Sequence, residues 1–215
     1  MPKKHPAEPK RGCTLCPRLV EFRIENKVAY PNFYNGAVQS FGPEEAPFLV
    51  IGLAPGLKGA NKTGRPFTGD FSGELLFTSL HKMGWTNDKN QNRADDGFKL
   101  TLCRVTNAVC CVPPQNKPTA LEVNNCRPFL LERIDRMKQL KVMMALGRIA
   151  HDTTVRTFGL RLADYKFSHG AVHQLPNGLT LVDSYHVSRY NVNTGVLTEK
   201  MFMQALKIVK EELTA

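Results

Sequence analysis

Four of the six cysteines in this chain stand where their thiolates could share one metal centre. Cys13 and Cys16 form a Cys-x-x-Cys pair between Gly12 and Pro17, and Cys111 and Cys126 are single residues with fourteen others between them. The turn of a Cys-x-x-Cys pair points both sulfurs one way, and four thiolates suit zinc or an iron–sulfur cluster. Zinc ribbons supply two close knuckles, so the wide second spacing leans towards iron–sulfur. Cys110 competes with Cys111 for the third position, and Cys111, facing Val112-Pro113-Pro114, is preferred. Cys103 lies in an apolar run and reads as a small core residue. Reduced core cysteines are the plain alternative for all of them, but paired thiols in polar sequence need a reason.

A second set of groups suits bond cleavage. Asp70 closes Phe67-Thr-Gly-Asp70, Asn107 closes Val105-Thr-Asn107, and His186 opens His186-Val-Ser-Arg-Tyr-Asn191. A carboxylate can orient water or oppose a developing cation, and a neutral imidazole can donate to a departing oxygen. An amide can donate and accept at once, and the Phe67 ring could stack on a flat ligand. Each residue also has a structural reading. Asp70 can cap the helix that follows it, Asn107 can cap a turn, Phe67 can pack in the core, and His186 can be a buried strand-end residue.

These groups need strand ends and loops to hold them. Apolar runs at Phe48 to Ile51, Leu100 to Val105, Val142 to Leu146 and Leu179 to Val182 are short, bounded by turn formers, and read as buried strands. Helical spacing appears between them, at Leu75, Leu76, Ser79, Leu80 and Met83 before Gly84, and at Leu121, Cys126, Phe129, Leu130 and Ile134 after Pro118. Thr119 and Glu122 form a capping box there. Leu197, Met201, Ala205, Val209 and Leu213 recur every four residues along a terminal amphipathic helix. The alternation predicts a three-layer α/β/α sandwich around a central, mainly parallel four-stranded sheet. Ligands of such sheets bind beyond the carboxyl ends of the strands. The first strand runs into Gly52-Leu53-Ala54-Pro55-Gly56, where glycines admit close approach, yet the spacing fits neither the P-loop nor the dinucleotide fingerprint. The stretch Asn87 to Gly97 reads as a polar surface loop.

The chain has 215 residues, enough for one domain with its own core, read here as 13–215 behind a flexible basic tail at 1–12. Lys and Arg number 29 against 19 Asp and Glu, a formal net charge of +10 that points to a polyanionic partner. No apolar run is long enough to span a membrane and no signal region opens the chain, so a cytoplasmic monomer is the default. Lys58, Lys62, Arg65, Lys117 and Arg189 lie near the motif loops and could neutralise phosphates.

Taken in order, Gly-Leu-Ala-Pro-Gly, Asn-Lys-Thr-Gly-Arg, Phe-Thr-Gly-Asp, Thr-Asn-Ala-Val, Cys-Val-Pro-Pro-Gln-Asn-Lys-Pro and the His186 loop resemble the uracil-DNA glycosylase superfamily, specifically its family 5, the UDGb type. The likeness covers roughly Cys13 to Gly195. Family 4 relatives usually carry Glu where this chain has Leu53, which favours family 5. Val187 departs from the proline that commonly follows the motif histidine.

The resemblance implies a monofunctional glycosylase that removes uracil, and other deaminated bases such as hypoxanthine, from DNA. It assigns Asp70 and His186 to catalysis, and Gly52, Leu53, Ala54, Phe67 and Asn107 to the flipped base. Arg65, Ser188, Arg189, Tyr190 and Asn191 fall to DNA contact and the wedge. It further implies a structural four-iron, four-sulfur cluster on Cys13, Cys16, Cys111 and Cys126, and a location on cytoplasmic, nucleoid DNA. The alternatives are a non-catalytic iron–sulfur DNA-binding module in which Asp70 is only a cap, and a family 4-like glycosylase restricted to uracil. A zinc deaminase is disfavoured, since His-x-Glu followed by Pro-Cys-x-x-Cys is absent.

Overall fold

The computed structural model describes residues 6–215. Its centre is one sheet built from β1 (Phe48–Gly52), β2 (Cys103–Asn107), β3 (Val142–Leu146), β4 (Val172–Gln174) and β5 (Thr180–Ser184), in the order β2-β1-β3-β5-β4. The β2–β1, β1–β3 and β3–β5 ladders are parallel, and β4 pairs antiparallel with β5. Every residue of β1, β3 and β5 is buried. Parallel strands covered on both faces show no polar alternation, which is why these segments read as continuous apolar runs.

The expected four strands are therefore five. The extra one, β4, is a three-residue edge strand whose Val172 and Gln174 are exposed, so neither an apolar run nor burial marks it.

Alternate residues of each central strand feed two separate cores. Phe48, Val50, Val105, Met144 and Val182 pack with Leu76, Phe77 and Leu80 of α3 (Phe71–Lys82) and with Phe202, Leu206 and Val209 of α7 (Glu199–Thr214). Leu49, Ile51, Met143, Ala145 and Leu181 pack the other way, on Leu130 and Ile134 of α4 (Ala120–Arg136) and Ala150 and Val155 of α5 (Arg148–Thr157). The three-layer arrangement follows directly from that division. The capping box at α4 is present: Thr119 Oγ1 accepts from the Glu122 amide at 3.3 Å, and Glu122 accepts from the Thr119 amide at 2.7 Å.

Two helices carry little sequence signal. The buried face of α5 is largely Thr153, Thr154 and Thr157, whose hydroxyls donate to carbonyls four residues back at 2.7 to 2.8 Å. The threonines are thereby satisfied without water, and a polar stripe serves as a core face. The N-terminal α1 (Pro17–Ala29) buries only Leu19 and Asn26 and is tied down by Arg18, which donates to Glu122 of α4 at 2.7 and 2.8 Å.

The basic tail expected over 1–12 lies partly outside the described residues. Within residues 6–12 the segment Ala7 to Pro9 is anchored while Lys10, Arg11 and Gly12 stay exposed: Ala7 and Pro9 are buried, and Glu8 pairs with the buried Arg133 at 3.1 Å and with Arg104 at 3.4 Å. The anchoring side chain is the tail's one acid, which composition alone hides among basic neighbours.

Candidate active site

A pocket of about 310 Å³ opens at the carboxyl ends of β1, β2 and β5. Gly52 and Asn107 are register partners at the ends of β1 and β2, and the loop after β5 brings in His186. Leu53, Ala54, Phe67, Asp70, Asn107, His186 and Ser188 all line this one space. Residues spread over 136 positions of sequence, from Leu53 to Ser188, thus meet where an open α/β sheet binds its ligands.

Two glycines make the meeting sterically feasible. A Cβ on Gly52 would lie 2.4 Å from the Phe67 ring and 2.5 Å from Asn107 Oδ1. A Cβ on Gly59, which precedes the short helix α2 (Ala60–Thr63), would lie 2.0 Å from Asp70 Oδ2. Both are separations that side chains do not tolerate, so the bare backbone lets the ring, amide and carboxylate sit against the loop.

Asp70 caps a helix and also lines the pocket. Its Oδ1 accepts the Gly73 amide at 3.1 Å as the N-cap of α3, while the carboxylate faces the pocket. A carboxylate at a helix N-terminus is favoured by the unpaired amides and the dipole. Phe67 is held at φ +51°, a left-handed conformation that is costly for an aromatic residue and therefore depends on its surroundings. His186 lies partly buried in the pocket wall. Burial depresses its pKa, with the Asp70 charge opposing the shift, so the neutral imidazole is the form held near neutral pH.

The His186 loop is shaped without the proline common in the family. Val187 is fully buried in the core, Asn191 Nδ2 donates to the His186 carbonyl at 2.8 Å, and Ser188 accepts from the Asn191 amide at 3.3 Å to cap α6 (Arg189–Asn193). Core burial and the two hydrogen bonds hold the backbone that proline would stiffen. Arg189 lies over the Phe71 ring at 5.4 Å, whereas Tyr190 is 74% exposed.

Arg65 is not a free phosphate ligand. It is 6% exposed and donates to Asp96 at 2.7 and 3.0 Å, to Asn90 at 2.8 Å and to Thr68 at 2.8 Å. Phe41 and Phe98 cover its guanidinium at 5.0 and 5.4 Å. Hydrogen bonding from Arg65 holds the Asp96 carboxyl well below the usual carboxylate range. The Asn87 to Gly97 loop is accordingly a brace for the Phe67 segment, a role its polar composition concealed. Lys58, Lys62 and Lys117 remain exposed.

Sequence reasoning also passed over Asn116. It lines the pocket at φ +56° beside Gln115 at φ +55°, in the turn Pro114–Asn116 that follows the thiol Cys111. Asparagine is among the residues most tolerant of that backbone, but nothing in the order of residues marks Gln115 and Asn116 as left-handed.

All four expected metal-ligand cysteines line a single small cavity, and Cys110 joins them. Donors surround the sulfurs: Asn125 lies 3.6 Å from Cys16 Sγ, Arg23 lies 4.0 Å from Cys111 Sγ, and Arg133 lies 3.0 Å from Cys110 Sγ. Burial raises Cys16 and pushes the Cys111 thiol up to about 12, with crowding by Cys110 adding to the latter. Within the Cys110–Cys126 pair, the hydrogen bond and Arg133 favour the Cys110 thiolate, and Cys126 is raised. A convergent set of thiols, buried at Cys110, Cys111 and Cys126 and half-buried at Cys13 and Cys16, with N–H groups near three of the sulfurs, fits a thiolate-bound metal cluster.

Sheet topology and pocket together define an α/β enzyme that presents a carboxylate, an amide, an imidazole and an aromatic ring to a flat polar ligand. The chain belongs to the uracil DNA glycosylase superfamily, whose family model matches residues 39–210. It is 43% identical over 204 residues to the type-5 uracil-DNA glycosylase of Thermus thermophilus, an alignment covering 93% of each chain. A type-5 enzyme of Pyrobaculum aerophilum is 37% identical over 200 residues, covering 91% of this chain and 87% of that one. A type-4 uracil-DNA glycosylase of the same organism is 31% identical over a shorter 152 residues, 70% of this chain. No helix among the described residues is long and apolar enough to cross a membrane.

Proposed function

We propose that this protein is a monofunctional type-5 glycosylase that hydrolyses the bond between uracil and deoxyribose in DNA. The observation that carries the reading is the convergence of Asp70, Asn107, Phe67 and His186 on one pocket at the strand ends, in a chain whose full-length relatives bear that name.

The chemistry follows from where charge develops. As the glycosidic bond breaks, its electron pair leaves with the base and the sugar gains oxocarbenium character. Asp70 opposes the sugar cation and orients water, whose oxygen bonds to the sugar carbon while its proton goes, in net, to the base. Neutral His186 donates an N–H to the uracil O2 oxygen as negative charge builds there. Asn107 pairs with the pyrimidine edge and Phe67 stacks on its face. No lysine among the described residues lines the pocket, in keeping with water rather than an amine as the nucleophile.

The base reaches this pocket only if it leaves the duplex, at a cost of a few kcal/mol that a wedge offsets by filling the gap. Tyr190 is the wedge, with Arg189 beside it and Ser188 and Asn191 fixing the loop. Lys58, Lys62 and Lys117 meet phosphates. With Leu53 in place of a carboxylate beside the base, hypoxanthine is also accepted. The enzyme acts as a monomer on cytoplasmic DNA.

Cys13, Cys16, Cys111 and Cys126 would hold a structural four-iron, four-sulfur cluster. Its iron would offset part of the charge of the clustered thiolates, and these four residues would thereby join the N-terminal segment to α4.

Oligonucleotides carrying one uracil, single-stranded and duplex, test the reading. Strand breaks that appear only after alkali, and vanish in Asp70→Asn and His186→Ala, are expected. Tight salt-sensitive binding with no breaks would instead make the protein a binding module.

A further inference from the structure

Outside the pocket and the thiol cluster lies a third group of ionisable side chains that the glycosylase chemistry does not use. Asp183 is fully buried in β5, three residues before His186, and both its carboxylate oxygens are engaged by imidazoles. His151 of α5 places Nδ1 2.8 Å from Oδ1, and His173 of the edge strand β4 places Nε2 3.0 Å from Oδ2. The three candidate ligand atoms all lie within 4.8 Å of one another.

The far side of His151 fixes its chemistry. Its Nε2 lies 2.8 Å from the Tyr165 carbonyl, which can only accept, so Nε2 carries a proton. In the neutral ring the lone pair is then on Nδ1, aimed at a carboxylate oxygen that also has only lone pairs. Something positive has to sit between them, either a second proton or a metal ion. An imidazole that donates its remote N–H to a backbone carbonyl has the usual outer arrangement of a metal-bound histidine.

We propose that His151, His173 and Asp183 form a second metal site, built for one borderline divalent ion of the zinc or cobalt type. Two imidazole nitrogens and one carboxylate oxygen are a ligand set that such ions accept, with a fourth position left to water. Metal–ligand bonds of about 2.1 Å in a tetrahedron put ligand atoms about 3.4 Å apart, so the two short contacts open by roughly half an ångström on loading. His173 provides that freedom and the entry path. It lies on the edge strand, and its side chain is 13% exposed while those of His151 and Asp183 are closed off. The Phe167 ring at 5.6 Å from His151 and the Tyr165 ring at 5.9 Å from His173 wall the site with aromatic surface. An ion there ties α5, β4 and β5 together just upstream of the strand end that positions His186.

Cobalt(II) titrated into the intact, cluster-loaded protein is the test, because its spectrum reports its ligands. Binding of one ion with nitrogen and oxygen ligand-field bands, no thiolate charge-transfer bands, and a zinc-dependent rise in the unfolding midpoint are expected. His173→Ala, at the partly exposed edge, should weaken cobalt binding by at least about tenfold and abolish the zinc-dependent rise. Uracil excision by His173→Ala serves as its folding control, and Asp183→Asn repeats the comparison if that variant folds. No cobalt binding by the folded wild type, thiolate bands alone, or equal affinity in a folded His173→Ala would each overturn the site and leave a buried proton-bridged network.

Discussion

Gly59 and Asp70 claim the same space: the Oδ2 of the carboxylate lies where the Cβ of any larger residue would stand, 2.0 Å away. The position of the proposed catalytic acid is therefore set by a missing side chain eleven residues upstream.

Gly59→Ala displaces Asp70 and should cut excision about 100-fold, the scale expected from an ångström of misplacement. Gly12→Ala is the companion, since nothing lies within 4 Å of its added Cβ. Single-turnover rates of the two variants check this, and an unimpaired Gly59→Ala would show that Asp70 does not need its observed position.

Asp70→Asn separates cap from catalyst. Asparagine caps helices about as well as aspartate, so stability should change by less than about 0.5 kcal/mol, whereas Asp70→Ala should lose about 1 kcal/mol. Excision should collapse in both. Urea unfolding measured beside activity decides it, and an active Asp70→Asn would leave Asp70 with the cap alone.

His186 sets a pH response whose sign follows from its depressed pKa. Below the unfolded value of about 6.5, the unfolded chain takes up a proton that the folded site refuses, so stability from this residue falls as pH drops towards the folded value. Wild type should therefore lose more stability than His186→Gln between about pH 7 and pH 5. Excision should persist somewhat below pH 6.5, because the neutral donor survives there. Denaturant midpoints and single-turnover rates across that range provide the check.

Arg65 and Lys62 should respond differently to salt. Lys62→Gln removes one phosphate contact and should lower the salt slope of DNA binding by about 1. Asp96→Asn leaves the slope unchanged but strands a buried guanidinium, at a cost of about 3 kcal/mol. Because the Asp96 carboxyl is depressed, its contribution is present above about pH 4 and disappears as the pH falls below that. Salt-dependent affinity and urea melts on the two variants test the assignment.

Cys110 and Cys111 compete for one ligand position. Cys111→Ser should lose bound iron and the cluster's visible absorbance, while Cys110→Ser should keep both, its sulfur being already engaged by Arg133 at 3.0 Å. The reverse pattern would move the ligand assignment by one residue.

The central strands, the helices over Phe71–Lys82, Ala120–Arg136 and Glu199–Thr214, the capping box and the site motifs were all legible in the sequence. Each is encoded locally, by an apolar run, a helical period or a motif. What escaped was non-local. The strand β4 exists only because β5 offers it an edge, and α5 presents threonines that become core only when their hydroxyls turn back onto the helix. Asn116 reaches the pocket through two left-handed residues whose conformation no pattern announced.

By itself the sequence determined the fold class and singled out Asp70, Asn107, His186 and the cysteines as candidates, because buried periodicity and motif chemistry are properties of residues in order. Only the tertiary structure decided that Arg65 faces Asp96 instead of DNA, that Glu8 anchors a basic tail, and that two histidines close on Asp183. The physical reason is common to all three. A charge in sequence has no partner until folding supplies one, and burial then makes that partner obligatory.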